Sequence, residues 1–255
     1  MNLGILKETF PGERRVAITP AVLSQLSKVG VNAVLEPGAG IAAGYTDSAY
    51  TEKGATVAGS RSEVISSCEI LAMVRTYGAN LEAGKADLAE FGPGKTVIGS
   101  CDPLGEPGAA QEFAATGANL FSLELMPRIT RAQSMDILSS MATIAGYKAV
   151  LLAANHLPKM FPMMMTAAGT IKPAKAFIIG AGVAGLQAIS SAKKLGAVVE
   201  AYDVRPAVKE QIESLGGKFV EMPLETADAE DAGGYAKDQG EAFIRRPREL
   251  RASVV

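Results

Sequence analysis

The run Gly180-Ala181-Gly182-Val183-Ala184-Gly185 closes one apolar stretch and opens another, a setting in which three glycines have separate uses. The first permits a tight turn, the second lets backbone approach a pyrophosphate, and the third lets a helix pack close to a strand. A pyrophosphate there would rest on the unpaired amides of a helix N-terminus, where the backbone dipoles favour an anion. Asp203 ends the next β-favouring run, where an acidic side chain can accept hydrogen bonds from the hydroxyls of an adenosine ribose. Turn, helix, second strand and acid together predict a dinucleotide site. A carboxylate at this place repels a 2'-phosphate and favours NAD over NADP, whereas Arg205 pulls the other way.

A second polar group runs from Pro127 through Arg128, Gln133 and Asp136 to Ser139. Thr130 suits a helix N-cap, so capping and solvation account for the segment as well as function does. Arg128, Gln133 and Asp136 could instead converge beside a ligand carried by the next domain. Spacing leaves both readings open. Lys7, Glu8, Glu13, Arg14 and Arg15 are expected to be a surface charge cluster, with Arg15 kept in view. His156, the only histidine, suits the last turn of a helix. Cys68 and Cys101 have no metal-ligand spacing and are expected as small core residues, so no metal site is expected.

These residues need elements to position them. Asn2 to Leu6, Asn32 to Leu35, Glu69 to Val74 and Thr96 to Ser100 are short β-favouring runs alternating with helical stretches, a βαβ rhythm that implies a parallel sheet. Pro20 opens a helix after Thr19, and Gly30 stops it. The stretch from Arg131 to about Asn155 carries an apolar stripe through Ile137, Met141, Ile144, Leu151 and Leu152. It is expected as one buried helix connecting two domains, and Lys148 and Asn155 argue against a membrane span. Leu157 to Lys175, with Pro158, Pro162 and Pro173, is expected as a linker. Ala174 to Ile179, Val183 to Leu195, Val198 to Tyr202, Pro206 to Leu215 and Lys218 to Val220 then give strand, helix, strand, helix and strand. Residues 226–240 have the composition of a mobile surface loop.

The expected fold class is therefore α/β with two parallel-sheet domains. The first, residues 1–135, is flavodoxin-like or Rossmann-like; residues 136–175 connect, and residues 176–255 hold the first half of a Rossmann domain. Composition agrees: 48% apolar and 20% charged residues can bury such cores, which excludes disorder. A net charge of -2 carries no footprint for nucleic acid or anionic lipid. Two cysteines make no disulfide framework, and charge arrives at Lys7 and Glu8, too early for a signal peptide, so a cytoplasmic protein is expected.

Gly4-Ile5-Leu6-Lys7-Glu8, Glu13-Arg14-Arg15-Val16-Ala17-Ile18-Thr19-Pro20 and Arg128-Ile129-Thr130-Arg131-Ala132-Gln133-Ser134-Met135-Asp136 resemble the alanine dehydrogenase and pyridine nucleotide transhydrogenase superfamily, from residue 1 to about 243. More narrowly, Arg128 to Asp136 and Gly233-Gly234-Tyr235-Ala236-Lys237 resemble the NAD(H)-binding alpha subunits of proton-translocating transhydrogenases. The resemblance implies that Arg128, Gln133, Asp136 and Ser139 hold the nicotinamide and its ribose against a partner domain carrying NADP(H). It implies that Tyr235 closes over NAD and that Asp203 is the ribose ligand. It also implies a homodimer, with membrane-embedded and NADP-binding partner subunits holding the chain at the membrane without inserting it. Oxidation of an amino acid needs a positioned acid or base, and the alanine dehydrogenase branch has a histidine where this chain has Gly99-Ser100-Cys101-Asp102. Arg15 and Arg75 match that branch's pyruvate-binding arginine and lysine, so an alanine dehydrogenase-like oxidoreductase is the alternative. Only one βαβαβ half follows Gly180, and the arginine-rich tail Phe243 to Arg251 departs from the family. A truncated, inactive NAD-binding module is accordingly a third reading.

Overall fold

The computed structural model describes residues 1–221. Contacts divide the chain into two compact units, Met1–Asp136 and Ile137–Val255. In the first unit β1 (Asn2–Ile5), β2 (Asn32–Leu35), β3 (Thr56–Val57), β4 (Ile70–Arg75), β5 (Thr96–Ser100) and β6 (Asn119–Ser122) form one sheet in the order β3-β2-β1-β4-β5-β6. Every pairing is parallel. This is the 3-2-1-4-5-6 order of dinucleotide folds, so of the two expected forms it is the Rossmann one. The brief β3 and the half-exposed β6 carry too little apolar patterning to stand out in the sequence.

Helices α1 (Leu23–Lys28), α2 (Asp47–Thr51), α3 (Arg61–Ser67), α4 (Gly84–Leu88) and α5 (Pro107–Ala115) make the crossovers. Alternation along the strands builds two cores. Leu3, Ile5, Leu35 and Ala72 pack with Leu23 and Tyr50, while Leu71, Met73 and Val97 pack with Val64, Ile65 and Phe113. Gly4 lets α3 close on β1, because a Cβ there would meet Val64 Cγ1 at 2.6 Å and Leu71 Cδ2 at 2.8 Å. Thr19 occupies the N-cap before Pro20 but makes no side-chain cap bond, and the helix starts with a 3-10 turn, Pro20–Val22.

The second unit begins with α6 (Ile137–His156). The helix expected from Arg131 is thus two elements, a 3-10 turn over Thr130–Met135 and then α6. Asp136 breaks the run with an extended backbone, ψ 96°. Nor is α6 buried along its length: Gly146 and Val150 are its buried residues, while Leu138, Ile144, Tyr147 and Leu152 are exposed. Length and composition alone would let α6 cross a bilayer. Its small-residue face instead packs on α7 (Val183–Lys194), where a Cβ on Gly146 would land on the carbonyl oxygen of Ala184. The expected linker contains an antiparallel hairpin, β7 (Met164–Thr166) and β8 (Gly169–Ile171), because Gly169 takes the left-handed turn position at φ 136°.

Three parallel strands complete the unit: β9 (Lys175–Ile179), β10 (Val198–Tyr202) and β11 (Lys218–Phe219), in the order β11-β10-β9. Helix α8 (Lys209–Ser214) follows a 3-10 turn at Pro206–Val208 and stops before Gly216, φ 78°. Ala188, Ile189 and Ala192 of α7 form the core with Val199, Ala201, Val208 and Ile212. Among the described residues β9 has one neighbour, β10, and lies at the sheet edge.

Candidate functional site

Strand β9 runs into the glycine turn and α7 leaves it. Gly180 has φ 89°, a left-handed conformation that side chains resist. A Cβ on Gly185 would fall on the Gly180 carbonyl oxygen, so the third glycine permits close packing of helix on strand. A Cβ on Gly182 would meet nothing within 4 Å, which leaves open space above the turn. Gly182 is the N-cap of α7 and no side chain caps the helix, so the amides following it, from Val183, Ala184 and Gly185, stand at a helix start suited to an anion. These features fit a dinucleotide pyrophosphate.

Asp203, just beyond β10, is tied to the turn and to its own strand end. Its Oδ2 accepts from the Ala181 amide at 2.7 Å and from Arg205 Nη2 at 3.1 Å. Its Oδ1 accepts from the Arg205 amide at 2.8 Å and from Arg205 Nε at 3.0 Å. Burial works against the charged form, but the Arg205 side chain and the two amides outweigh it and hold the carboxyl below the usual aspartate range. Asp203 is therefore an anion bridging the two strand ends where a dinucleotide fold meets adenosine ribose. Tyr235 and its neighbours lie outside the described residues.

The helix-entry group separates between the units. Arg128, Gln133 and Asp136 belong to the first, and Ser139 lies in the first turn of α6. Arg128 Nη2 approaches Asp136 Oδ2 at 3.3 Å, and the Asp136 amide donates to the Gln133 carbonyl at 3.2 Å. Thr130 does not cap: Ile129 holds the N-cap position of the 3-10 turn, and Ala132 is its buried anchor. Gln133 is exposed. A short polar turn held by its own ion pair thus presents these side chains.

The charge cluster near the N-terminus is exposed at Lys7, Arg14 and Arg15, as expected, but its carboxylates Glu8 and Glu13 are half-buried. It sits at the carboxyl ends of β1 and β4, where the strand order of the first sheet reverses and open α/β sheets place ligands. Glu8 accepts from the amides of Val74 at 2.6 Å and Arg75 at 3.1 Å; burial nevertheless pushes its carboxyl above the usual range. Glu13 accepts from Arg15 Nη2 at 2.6 Å and Arg75 Nε at 3.1 Å, and Arg15 above all lowers its pKa to about 2. The Arg75 guanidinium covers the Phe10 ring at 4.3 Å. The resemblance already pairs Arg15 with Arg75, but sequence reasoning missed that Glu13 bonds both, because Arg75 reaches it only through the pairing of β4 with β1. At the end of β5, Glu124 Oε1 accepts from the amides of Cys101 at 2.8 Å and Asp102 at 2.5 Å, and Asp102 adopts φ 49°. His156 ends α6 as expected.

Fold and turn define a doubly wound α/β protein with a glycine turn of the dinucleotide-binding type. Residues 4–145 match the family model "Alanine dehydrogenase/PNT, N-terminal domain" and residues 149–248 the corresponding C-terminal domain. The chain belongs to the alanine dehydrogenase/PNT family. It is 45% identical over 250 residues to the first portion of the NAD(P) transhydrogenase alpha subunit of Rhodospirillum rubrum, covering 98% of this chain and 65% of that one. The crystal structure of transhydrogenase from Sinorhizobium meliloti superposes with a TM-score of 0.81 at 45% identity, over 87% of this chain and 64% of that one. Alanine dehydrogenase of Methanococcus maripaludis is 29% identical over 210 residues, 80% of this chain and 53% of its own. The chain thus spans about two thirds or less of the length of these relatives.

Proposed function

We propose that the chain is the NAD(H)-binding component of a proton-translocating NAD(P) transhydrogenase. The observation that carries this reading is the glycine turn bonded to Asp203, in a chain whose single histidine ends α6 and does not lie at the end of β5. In this reading the amides of Gly180 to Gly185 hold the pyrophosphate, Asp203 holds the adenosine ribose, and Tyr235 closes over the bound dinucleotide. Arg128, Gln133, Asp136 and Ser139 orient the nicotinamide and its ribose. Bound NADH supplies a hydride to NADP+ held on a partner domain, leaving NAD+ and NADPH, with no proton moving at the reacting carbons. The work left to the side chains is orientation, which by itself accounts for large rate effects when reacting atoms are held in near-attack geometry.

The partners in this reading are the NADP-binding and membrane-embedded subunits, which couple hydride transfer to proton movement and hold a cytoplasmic homodimer at the membrane. The transhydrogenase relatives are named as subunits, which supports partner subunits here. A second reading, an alanine dehydrogenase-like oxidoreductase, draws on Arg15 and Arg75 at the strand reversal; their engagement by Glu13 weighs against it.

The test is an assay of the chain, alone and extended with the remaining C-terminal stretch of the Rhodospirillum relative, mixed with an NADP-binding transhydrogenase component. The expected outcome is hydride transfer between NADH and an NADP+ analogue in the extended protein, with no alanine-dependent reduction of NAD. Alanine-dependent reduction without transhydrogenation would overturn the assignment in favour of the second reading, and NAD binding without either reaction would overturn both.

A further inference from the structure

Glu124 stands in the 3-10 turn Leu123–Leu125 that follows β6, and both its oxygens are engaged. Oε1 accepts from the amides of Cys101 at 2.8 Å and Asp102 at 2.5 Å, and Oε2 from the Ser122 hydroxyl at 2.6 Å. Burial works against the charged form, but the Ser122 hydroxyl and the backbone amides outweigh it and hold the carboxyl below the usual glutamate range. At neutral pH these are bonds to an anion, roughly twice as strong as bonds between neutral groups. The strand end that Glu124 grips is itself fixed. A Cβ on Gly78 would lie 2.0 Å from the Cys101 carbonyl oxygen, so the end of β5 is packed on the backbone that follows β4. Asp102 has φ 49°, a left-handed conformation that side chains resist, and among the described residues it is the one non-glycine position with positive φ. Its carbonyl accepts from the Glu106 amide at 2.8 Å and its carboxylate from the Gly105 amide at 3.3 Å.

The segment after Glu124 leads straight into the polar turn, and from Leu125 to Met135 its one buried residue is Ala132. Tight backbone bonds run along it: the Met126 amide donates to the Leu123 carbonyl at 3.2 Å, Ile129 to Pro127 at 3.0 Å and Ala132 to Ile129 at 2.9 Å. Such turns carry the placement of one end to the other, but they do not fix the segment to the sheet. Glu124 supplies a fixed end four residues before Arg128. We propose that Glu124 is a positioning residue for hydride transfer: by clamping the Cys101 and Asp102 amides it sets the place of the turn that carries Arg128, Gln133 and Asp136. This inference rests on the reading of that turn as the part that orients the nicotinamide.

The test uses the extended protein with an NADP-binding transhydrogenase component, at a temperature where circular dichroism shows every variant fully folded. Glu124→Ala is expected to lower the hydride transfer rate at saturating NADH by at least about tenfold, because misplacement by about 1 Å is enough for such a loss. The dissociation constant for NADH is expected to change by less than about threefold, since the glycine turn lies elsewhere in the chain. Glu124→Gln keeps the length and one acceptor oxygen but makes weaker bonds, so its rate should fall between those of the alanine variant and the unaltered protein. A role confined to stability would lower the melting temperature and leave the rate per folded molecule unchanged.

A smaller loss of rate in Glu124→Ala, or an equal loss of NADH affinity, overturns the inference and leaves the transhydrogenase reading standing. No hydride transfer by the unaltered extended protein overturns that reading, and the inference with it. Should the alanine variant fail to fold, Glu124→Gln decides: a rate equal to that of the unaltered protein overturns the inference, and a lower rate at unchanged NADH affinity upholds it.

Discussion

Glu13 shows how far one carboxylate can be specialised by two arginines from different parts of the chain. Its folded pKa of about 2 lies below its ordinary 4.5, so its ionised form stabilises the fold above about pH 4.5, and that contribution is lost as pH falls toward 2. Glu13→Gln should cost about 1.5–3 kcal/mol at neutral pH, the range for hydrogen bonds to charged groups. Thermal unfolding from pH 7 to pH 2 should show the variant and the unaltered protein converging in the acid range. A constant gap across that range would show that charge is not the cause. Gln133 and Asp136 call for a different readout. If they orient the ring, Gln133→Ala or Asp136→Asn in the extended protein should lower the hydride transfer rate by about 100-fold, with NADH affinity changed by less than about threefold. Equal losses in both quantities would make them ordinary binding residues.

Helix α6 is held by the absence of a side chain. Alanine is normally the better helix former by about 1 kcal/mol. At Gly146, however, the added Cβ would land on the Ala184 backbone, which cannot rotate away as a side chain can. The clash should win: Gly146→Ala is expected to destabilise by about 1–3 kcal/mol or more, the usual cost of overpacking. Gly108, in α5, is the control, since nothing lies within 4 Å of its added Cβ. Gly108→Ala should be neutral or stabilising by up to about 1 kcal/mol. Denaturant midpoints of both variants check the pair of outcomes, and equal shifts would contradict the packing argument. The same logic applies to Gly185, whose added Cβ would fall on the Gly180 carbonyl oxygen, whereas Gly180 is restricted by its left-handed φ of 89°.

The two units manage their exposed apolar surface differently. The first has six strands with helices closing two cores. Among the described residues the second presents the edge strand β9, with Ile179 56% exposed, together with the exposed apolar residues of α6 and of the β7–β8 hairpin. Apart from the exposed Lys175 at its start this edge is apolar, and such an edge templates pairing with another chain. The 255-residue chain is therefore expected to self-associate in a concentration-dependent way, and Ile179→Lys should reduce that association. Sedimentation velocity over a concentration series checks this, and a monomer at every concentration would contradict it.

The glycine turn, the acid at Asp203 and four strands of the first sheet were legible in the sequence, because each follows from local rules: strand period, turn chemistry and the spacing of a βαβ unit. The split of the Arg131 to Asn155 stretch at Asp136 was not, since a 3-10 turn and an α-helix share nearly the same apolar spacing over one or two turns. Exposure of α6 was hidden too, because an apolar helix reads as buried whether or not a neighbour covers it. Sequence by itself determined where a dinucleotide turn can form and which residues close it. Tertiary structure alone decided that Glu13 gathers Arg15 and Arg75, because strand pairing brings together residues far apart in the chain. It also decided that Asp203 is held as half of an ion pair, because the charge a ligand meets depends on which donors fold back onto the acid.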